Sequence, residues 1–172
     1  IKDYSLSVSS ESLINGSSVP QIEEGGLEIE ETFKSASAGF KSWNATDVQL
    51  RAEAIERFAD LLEQNRDELM GILTYEAGKT LADGRDEVRE AVDFCRYYAA
   101  LAKEAYSSGG QKMRGYTGET NHLVHEGRGV FVCISPWNFP LAIFTGQIVA
   151  ALVAGNAVIA KPASQTRKIA RR

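Results

Sequence analysis

Two polar side chains stand where apolar segments of this chain stop. Asn138 lies in Ser135-Pro136-Trp137-Asn138-Phe139-Pro140, after the run Val130-Phe131-Val132-Cys133-Ile134. Lys161 follows the run Ala157-Val158-Ile159-Ala160. A primary amide can donate N–H to an oxygen on which charge develops, and an ammonium can donate to hydroxyl or phosphate oxygens. Both runs read as strands, and parallel sheets take ligands at the carboxyl ends of their strands. The plainer reading makes Asn138 a turn amide that caps the following helix, and Lys161 a solvated strand end. The residue pattern leaves both readings open.

The other candidates are weaker. Cys95 falls on the apolar stripe Val88, Val92, Cys95, Ala99, Ala102, spaced four, three, four and three. It reads as a buried small hydrophobe rather than a reactive thiol. Cys133 sits inside a strand. Two cysteines and two histidines make neither a disulfide framework nor a four-ligand zinc site, and reduced thiols in a cytosol-like compartment are the expectation. His122 and His125 are three apart, which on a strand points them to opposite faces, so a shared metal is not expected. Ser107–Gly118 holds four glycines but neither GxGxxG nor GxxxxGK[ST], and reads as a loop.

The elements that must position Asn138 and Lys161 follow from periodicity. Val130–Ile134 and Ala157–Ala160 are continuous apolar runs, which predicts buried parallel strands. Leu141–Val153 between them reads as a helix, with Pro140 suited to its first turn and Gly155-Asn156 after its end. The whole is one βαβ unit of ~30 residues with a right-handed crossover. Upstream, Ile29, Phe33, Ala36, Phe40 and Trp43 mark one helix face, with Phe40 and Trp43 as core anchors. Thr46-Asp47-Val48-Gln49 predicts a capping box with the Thr46 hydroxyl on a backbone amide. The helix it opens runs through Ile55, Phe58, Leu62, Leu69 and Leu73 and stops at Gly78. A third helix carries the Val88–Ala102 stripe. Of the adjacent Tyr97 and Tyr98, one packs and the other lies near an edge. Asn121–Glu126 alternates weakly and reads as an exposed strand.

The chain has 172 residues, 44% hydrophobic and 24% charged, so it can bury a core and is globular rather than disordered. Net charge is −4, which gives no general pull toward nucleic acid. Residues 1–31 carry seven acids against the single base Lys2 and read as a solvated or loosely attached segment. Residues 129–160 contain no charged side chain, yet Pro136, Asn138, Pro140, Gln147 and Gly155-Asn156 interrupt them, and no transmembrane segment is expected. The chain starts at Ile1 with no signal segment, which reads as a fragment or processed piece. Three parts are expected: an acidic segment at 1–30, a helical part with an exposed strand at 31–126, and the first βαβ of the sheet at 127–172.

Gly129-Val130-Phe131-Val132-Cys133-Ile134-Ser135-Pro136-Trp137-Asn138-Phe139-Pro140-Leu141, then Ala154-Gly155-Asn156-Ala157-Val158 and Lys161-Pro162-Ala163, resemble the aldehyde dehydrogenase superfamily in order and spacing. Glu76-Ala77-Gly78-Lys79 is similar to that family's helix end. Ala91–Ala99 and Gly127–Phe144 are most similar to the L-glutamate γ-semialdehyde (1-pyrroline-5-carboxylate) dehydrogenase half of bifunctional proline utilization enzymes. The resemblance covers about Glu31 to Thr166. It implies an α/β fold, with N-terminal helices followed by the first βαβ of a Rossmann-like parallel sheet.

It also implies roles. Asn138 would stabilise the oxyanion of the thiohemiacetal formed when a cysteine attacks the aldehyde. Lys161 would bond the adenosine ribose, with Ala163 and Ser164 beside it. Ile134, Ser135, Pro136 and Trp137 would line the cofactor channel. The nucleophilic Cys and the general-base Glu would lie beyond Arg172, so these residues alone would be inactive. Phe139 and Phe144 would border the substrate pocket.

NAD is the implied cofactor, and NADP is admissible. Relatives that prefer NAD often carry Glu where this chain has Ser164, and a neutral side chain there does not repel a 2′-phosphate. FAD would belong only to a separate proline dehydrogenase domain of a bifunctional protein. The resemblance further implies a small aldehyde substrate, a homo-oligomer and a cytoplasmic location. A catalytically inert binding or assembly module of the same fold, or a dehydrogenase for another aldehyde such as succinic semialdehyde, are the alternatives.

Overall fold

The computed structural model describes the backbone of residues 6–7 and all of residues 29–172. The acidic, serine-rich segment otherwise lies outside the described residues. Its Leu6–Ser7 forms a short strand, β1, where the sequence predicted only a solvated segment. A helical layer follows, of α1 (Ile29–Asn44), α2 (Val48–Gln64), α3 (Arg66–Ala77) and α4 (Leu81–Ala105). Next come β2 (Gln111–Met113) and β3 (Asn121–Leu123), then β4 (Val130–Ile134), α5 (Ala142–Val153), β5 (Ala157–Lys161) and α6 (Arg167–Arg171).

The strand–helix–strand order and the parallel pairing hold. β4 and β5 are adjacent and parallel, with Val130 opposite Ala157 and Ile134 opposite Lys161. β1 adds to the far edge of β5, antiparallel, giving the order β1-β5-β4. Successive residues alternate faces. Cys133, Val158 and Ala160 face the main core with α2, α4 and α5. Val130, Ala157 and Ile159 face α1, where Ala36 and Phe40 meet them.

β4 is less buried than its apolar run predicted. Phe131, Val132 and Ile134 are all exposed. The reason is neighbours: β5 flanks one edge of β4, and among the described residues no strand flanks the other. α5 carries no charge and, Gln147 excepted, is largely apolar, as suits a helix packed between the sheet and α4.

Other expectations are corrected locally. On α1, Ala36 and Trp43 are buried and Phe40 is partly so, while Ile29 is 74% exposed and Phe33 also faces outward. The cap of α2 is Asp47, whose carboxylate accepts from Gln49 N at 2.7 Å. Thr46 instead donates its hydroxyl to Ser42 O, and the Gln49 side chain reaches Glu53. The long helix expected up to Gly78 is two helices broken at Asn65, whose side-chain amide donates to Leu61 O at 2.8 Å and competes with the ladder. Leu62 and Leu69 lie seven residues apart, so the apolar period runs through the break and could not show it.

Gly78 ends α3 as expected, in the left-handed conformation at φ 67°. Tyr98 packs and Tyr97 is exposed. The 107–118 loop contains β2, which pairs antiparallel with β3. His125 lies outside β3, with its ring 5.6 Å from that of Tyr106. No helix among the described residues is long and apolar enough to cross a membrane.

Candidate functional site

The loops leaving β4 and β5 lie side by side. Ser135 N donates to Lys161 O at 3.1 Å, which extends the parallel ladder one residue past the strands. Asn138, on the loop after β4, and Lys161, the last residue of β5, therefore lie at the same carboxyl end of the two strands. The starts of the same strands are aligned by Asn156. Its Oδ1 accepts from Arg128 N at 2.6 Å and Gly129 N at 3.1 Å, and its Nδ2 donates to Ala151 O. Gly127 must be glycine here, because a Cβ would come within 2.5 Å of Gly155 O.

On the first loop, Ser135 and Pro140 are buried, and Pro136 is half-buried. Ile134 and Trp137 are exposed, at 61% and 58%, and Asn138 is exposed between Trp137 and Phe139. No hydrogen bond joins the Asn138 side chain to another described residue. The capping reading of Asn138 fails, because α5 has no side-chain cap from its own loop. Its first amides are taken from a distance. Glu87 of α4, only 2% exposed, accepts from Leu141 N at 2.8 Å and Ala142 N at 3.2 Å through one carboxylate oxygen. A carboxylate suits that place, since the amides are unpaired and the helix dipole is positive there.

The other carboxylate oxygen of Glu87 is 2.7 Å from Lys79 Nζ, and apart from that ammonium it has no partner among the described residues. The same ammonium lies 4.2 Å from the centroid of the Phe139 ring. Phe139 is part of this loop and is exposed. Phe144 is buried in the core.

The second loop is built alike. Lys161 is half-buried, and its Nζ donates to Pro162 O at 3.3 Å. An ammonium has three donors, so most of that capacity is uncommitted. Ala163 is buried, while Ser164 is exposed and its hydroxyl donates to Gln165 Oε1 at 3.2 Å. α6 then begins with Lys168 N and Ile169 N on the two oxygens of Glu76, at 2.8 and 2.9 Å. An ammonium at the end of β5 and a hydroxyl three residues on can both donate to hydroxyl or phosphate oxygens.

Sequence reasoning missed Glu87, Lys79 and Glu76 as site-building residues. A signal existed for Glu87: it lies four residues before the fully buried Ala91 and one before Val88, on the inward face of α4. A carboxylate there demands partners. The two cysteines are far from nucleophilic. Burial pushes the Cys95 thiol up to about 12 and also raises that of Cys133.

Comparison with known proteins places the chain in a family. The aldehyde dehydrogenase family pattern matches residues 13–172. The bifunctional protein PutA of Klebsiella aerogenes is 50% identical over 86% of this chain, a stretch that makes up 10% of that protein. The 1-pyrroline-5-carboxylate dehydrogenase of Anoxybacillus flavithermus is 40% identical over 82% of the chain and 27% of its own length. Among solved structures, a Bradyrhizobium japonicum PutA mutant superposes with a TM-score of 0.80 and 54% identity, over 83% of this chain and 14% of that one. A Thermus 1-pyrroline-5-carboxylate dehydrogenase with bound NAD gives a TM-score of 0.77 and 34% identity, over 83% of this chain and 28% of that one. The chain thus spans about a tenth to a quarter of these relatives. Matched from residue 13 to residue 172, the chain belongs to the aldehyde dehydrogenase family.

Proposed function

We propose that this chain is part of an NAD-dependent enzyme that oxidises L-glutamate γ-semialdehyde to L-glutamate in proline catabolism. The observation that carries the reading is the Asn138 amide. It is exposed, without a partner among the described residues, and set beside the Lys161 loop at the carboxyl end of two parallel strands. An amide held there is available to donate to the aldehyde oxygen as charge develops on it. The identity to PutA and to 1-pyrroline-5-carboxylate dehydrogenases supports the choice of substrate.

The residues fit the cofactor too. Lys161 would donate to the ribose, Ser164 would lie beside it above Ala163, and Ile134 to Trp137 would form the adjoining wall. A nicotinamide bound there would supply the hydride acceptor. Any FAD would belong to a proline dehydrogenase portion of a bifunctional protein. Assembly as a homo-oligomer in the cytoplasm completes the proposal; the two buried, reduced thiols are compatible with that compartment.

The nucleophile is not Cys95 or Cys133, both of which are buried and carry raised pKa values. The 172 residues on their own should therefore yield no cysteine-dependent NADH. The deciding experiment measures kcat/KM of the full-length protein for L-glutamate γ-semialdehyde, succinic semialdehyde and simple aliphatic aldehydes, with NAD and with NADP. The γ-semialdehyde with NAD should lead. A higher value for another aldehyde would refute the substrate.

A further inference from the structure

α5 has no cap of its own, although a Ser, Thr or Asp just before it would supply one at the surface. The chain instead brings a carboxylate from 54 residues upstream and buries it with a counter-ion. Burying two charges is costly unless geometry and hydrogen bonds compensate, and an apolar pair is often as stable. What the ion pair adds is directional constraint on the loop that carries Asn138.

We propose that Glu87 and Lys79 are positioning residues that hold the Ser135–Pro140 loop, and through it the Asn138 amide, in place. The constraint acts at two points. Glu87 fixes Leu141 N and Ala142 N, three and four residues past Asn138. Lys79 touches Glu87 and the ring of Phe139, the residue next to Asn138. Lys79 is itself placed by a short rigid link, with the left-handed Gly78 closing α3 and the Thr80 hydroxyl accepting from Asp83 N to open α4. Asn138 makes no side-chain hydrogen bond with the described residues, so its aim depends on the backbone that carries it. The catalytic part of this inference rests on the reading of Asn138 given above.

The test uses the full-length enzyme with NAD and L-glutamate γ-semialdehyde. Glu87→Gln keeps the shape and one acceptor oxygen, but sets an amide NH₂ against the Lys79 ammonium. It should lower kcat about tenfold or more, with KM for NAD changed less than about twofold, because misplacing a reacting group by ~1 Å can cost 10²-fold. A purely structural role does not predict the second result: in an Asn138→Ala background, Glu87→Gln should lower kcat less than about twofold. Wild-type turnover in Glu87→Gln, or its full loss repeated on top of Asn138→Ala, overturns the proposal. If Glu87→Gln does not fold, Lys79→Met takes its place in the same cycle.

Amide hydrogen exchange separates this proposal from the reading beneath it. Leu141 and Ala142 should lose protection in Glu87→Gln or Lys79→Met and keep it in Asn138→Ala. Unchanged protection overturns the anchoring whether or not the enzyme turns over. Unchanged kcat in Asn138→Ala alone overturns the reading of Asn138, and with it the catalytic half of the proposal.

Discussion

The roles proposed for Asn138 and Ser164 can be tested separately. Asn138→Ala in the full-length enzyme should lower kcat by roughly 10²-fold or more, with a smaller change in cofactor affinity. Because Glu87 rather than Asn138 occupies the first amides of α5, the same variant should melt close to wild type. Measuring kcat and Tm on one preparation checks both statements. Ser164 is small, neutral and exposed, three residues after the Lys161 ammonium. A carboxylate placed there would face a 2′-phosphate. Ser164→Glu should therefore penalise NADP relative to NAD by several-fold to about tenfold in kcat/KM, the size of one unfavourable contact at a partly solvated site. An unchanged NAD/NADP ratio would remove Ser164 as the selector.

At the scale of elements, α5 is a charge-free helix held by charges from other helices. Glu87 serves its amino end, as described. At its carboxyl end the buried Arg51 of α2 donates through Nε to Val153 O at 3.0 Å. Through Nη1 it donates to Asn44 O at 3.2 Å and Thr46 O at 2.7 Å. Trp43 Nε1 donates to Leu152 O at 2.7 Å. Cations and donors belong at that end, where carbonyls are left over and the dipole is negative. One planar fork thus joins the ends of α1 and α5.

Arg51→Met should strand these acceptors, each worth ~1–3 kcal/mol when buried and unpaired. The expected loss of stability is at least ~2 kcal/mol, read as a lower urea midpoint. Arg51→Lys should recover only part of it, since an ammonium cannot reproduce the fork. Recovery to wild type with lysine would show that charge alone matters at this junction.

At the scale of the whole molecule, one core runs from α2 through α4 and α5 to the sheet, and both cysteines belong to it. Their environment is apolar, so the charged thiolate is disfavoured. Iodoacetamide at pH 8 should leave Cys95 and Cys133 unlabelled in the native full-length protein and label both in urea, as read from their peptides by mass spectrometry. Stability should carry the same sign. Cys95 keeps its proton up to about 12 when folded, against 9.0 for an ordinary thiol. In alkaline solution the unfolded chain binds fewer protons, and stability falls as pH rises between these values. An unfolding midpoint that rose through that window would contradict the burial of Cys95.

The sequence by itself determined the βαβ unit, the strand ends that carry Asn138 and Lys161, the stop at Gly78 and the family. These follow from local order: short apolar runs bounded by turn residues favour strands, a glycine can adopt a left-handed turn, and the Pro136–Pro140 and Lys161–Ala163 stretches occur at distinctive spacing. It did not show the break at Asn65, because the apolar period continues across it. It mistook Thr46 for the cap of α2, because Thr46 and Asp47 are adjacent candidates and only backbone geometry chooses between them. It overstated the burial of β4, since burial depends on neighbouring strands and not on composition alone. It left open whether Asn138 caps α5. Tertiary structure decided that by bringing Glu87 from another helix to amides 54 positions away, a pairing no local pattern encodes. Loop aim, helix anchoring and thiol reactivity all depend on residues distant in the chain, and contact across that distance exists only once the core has packed.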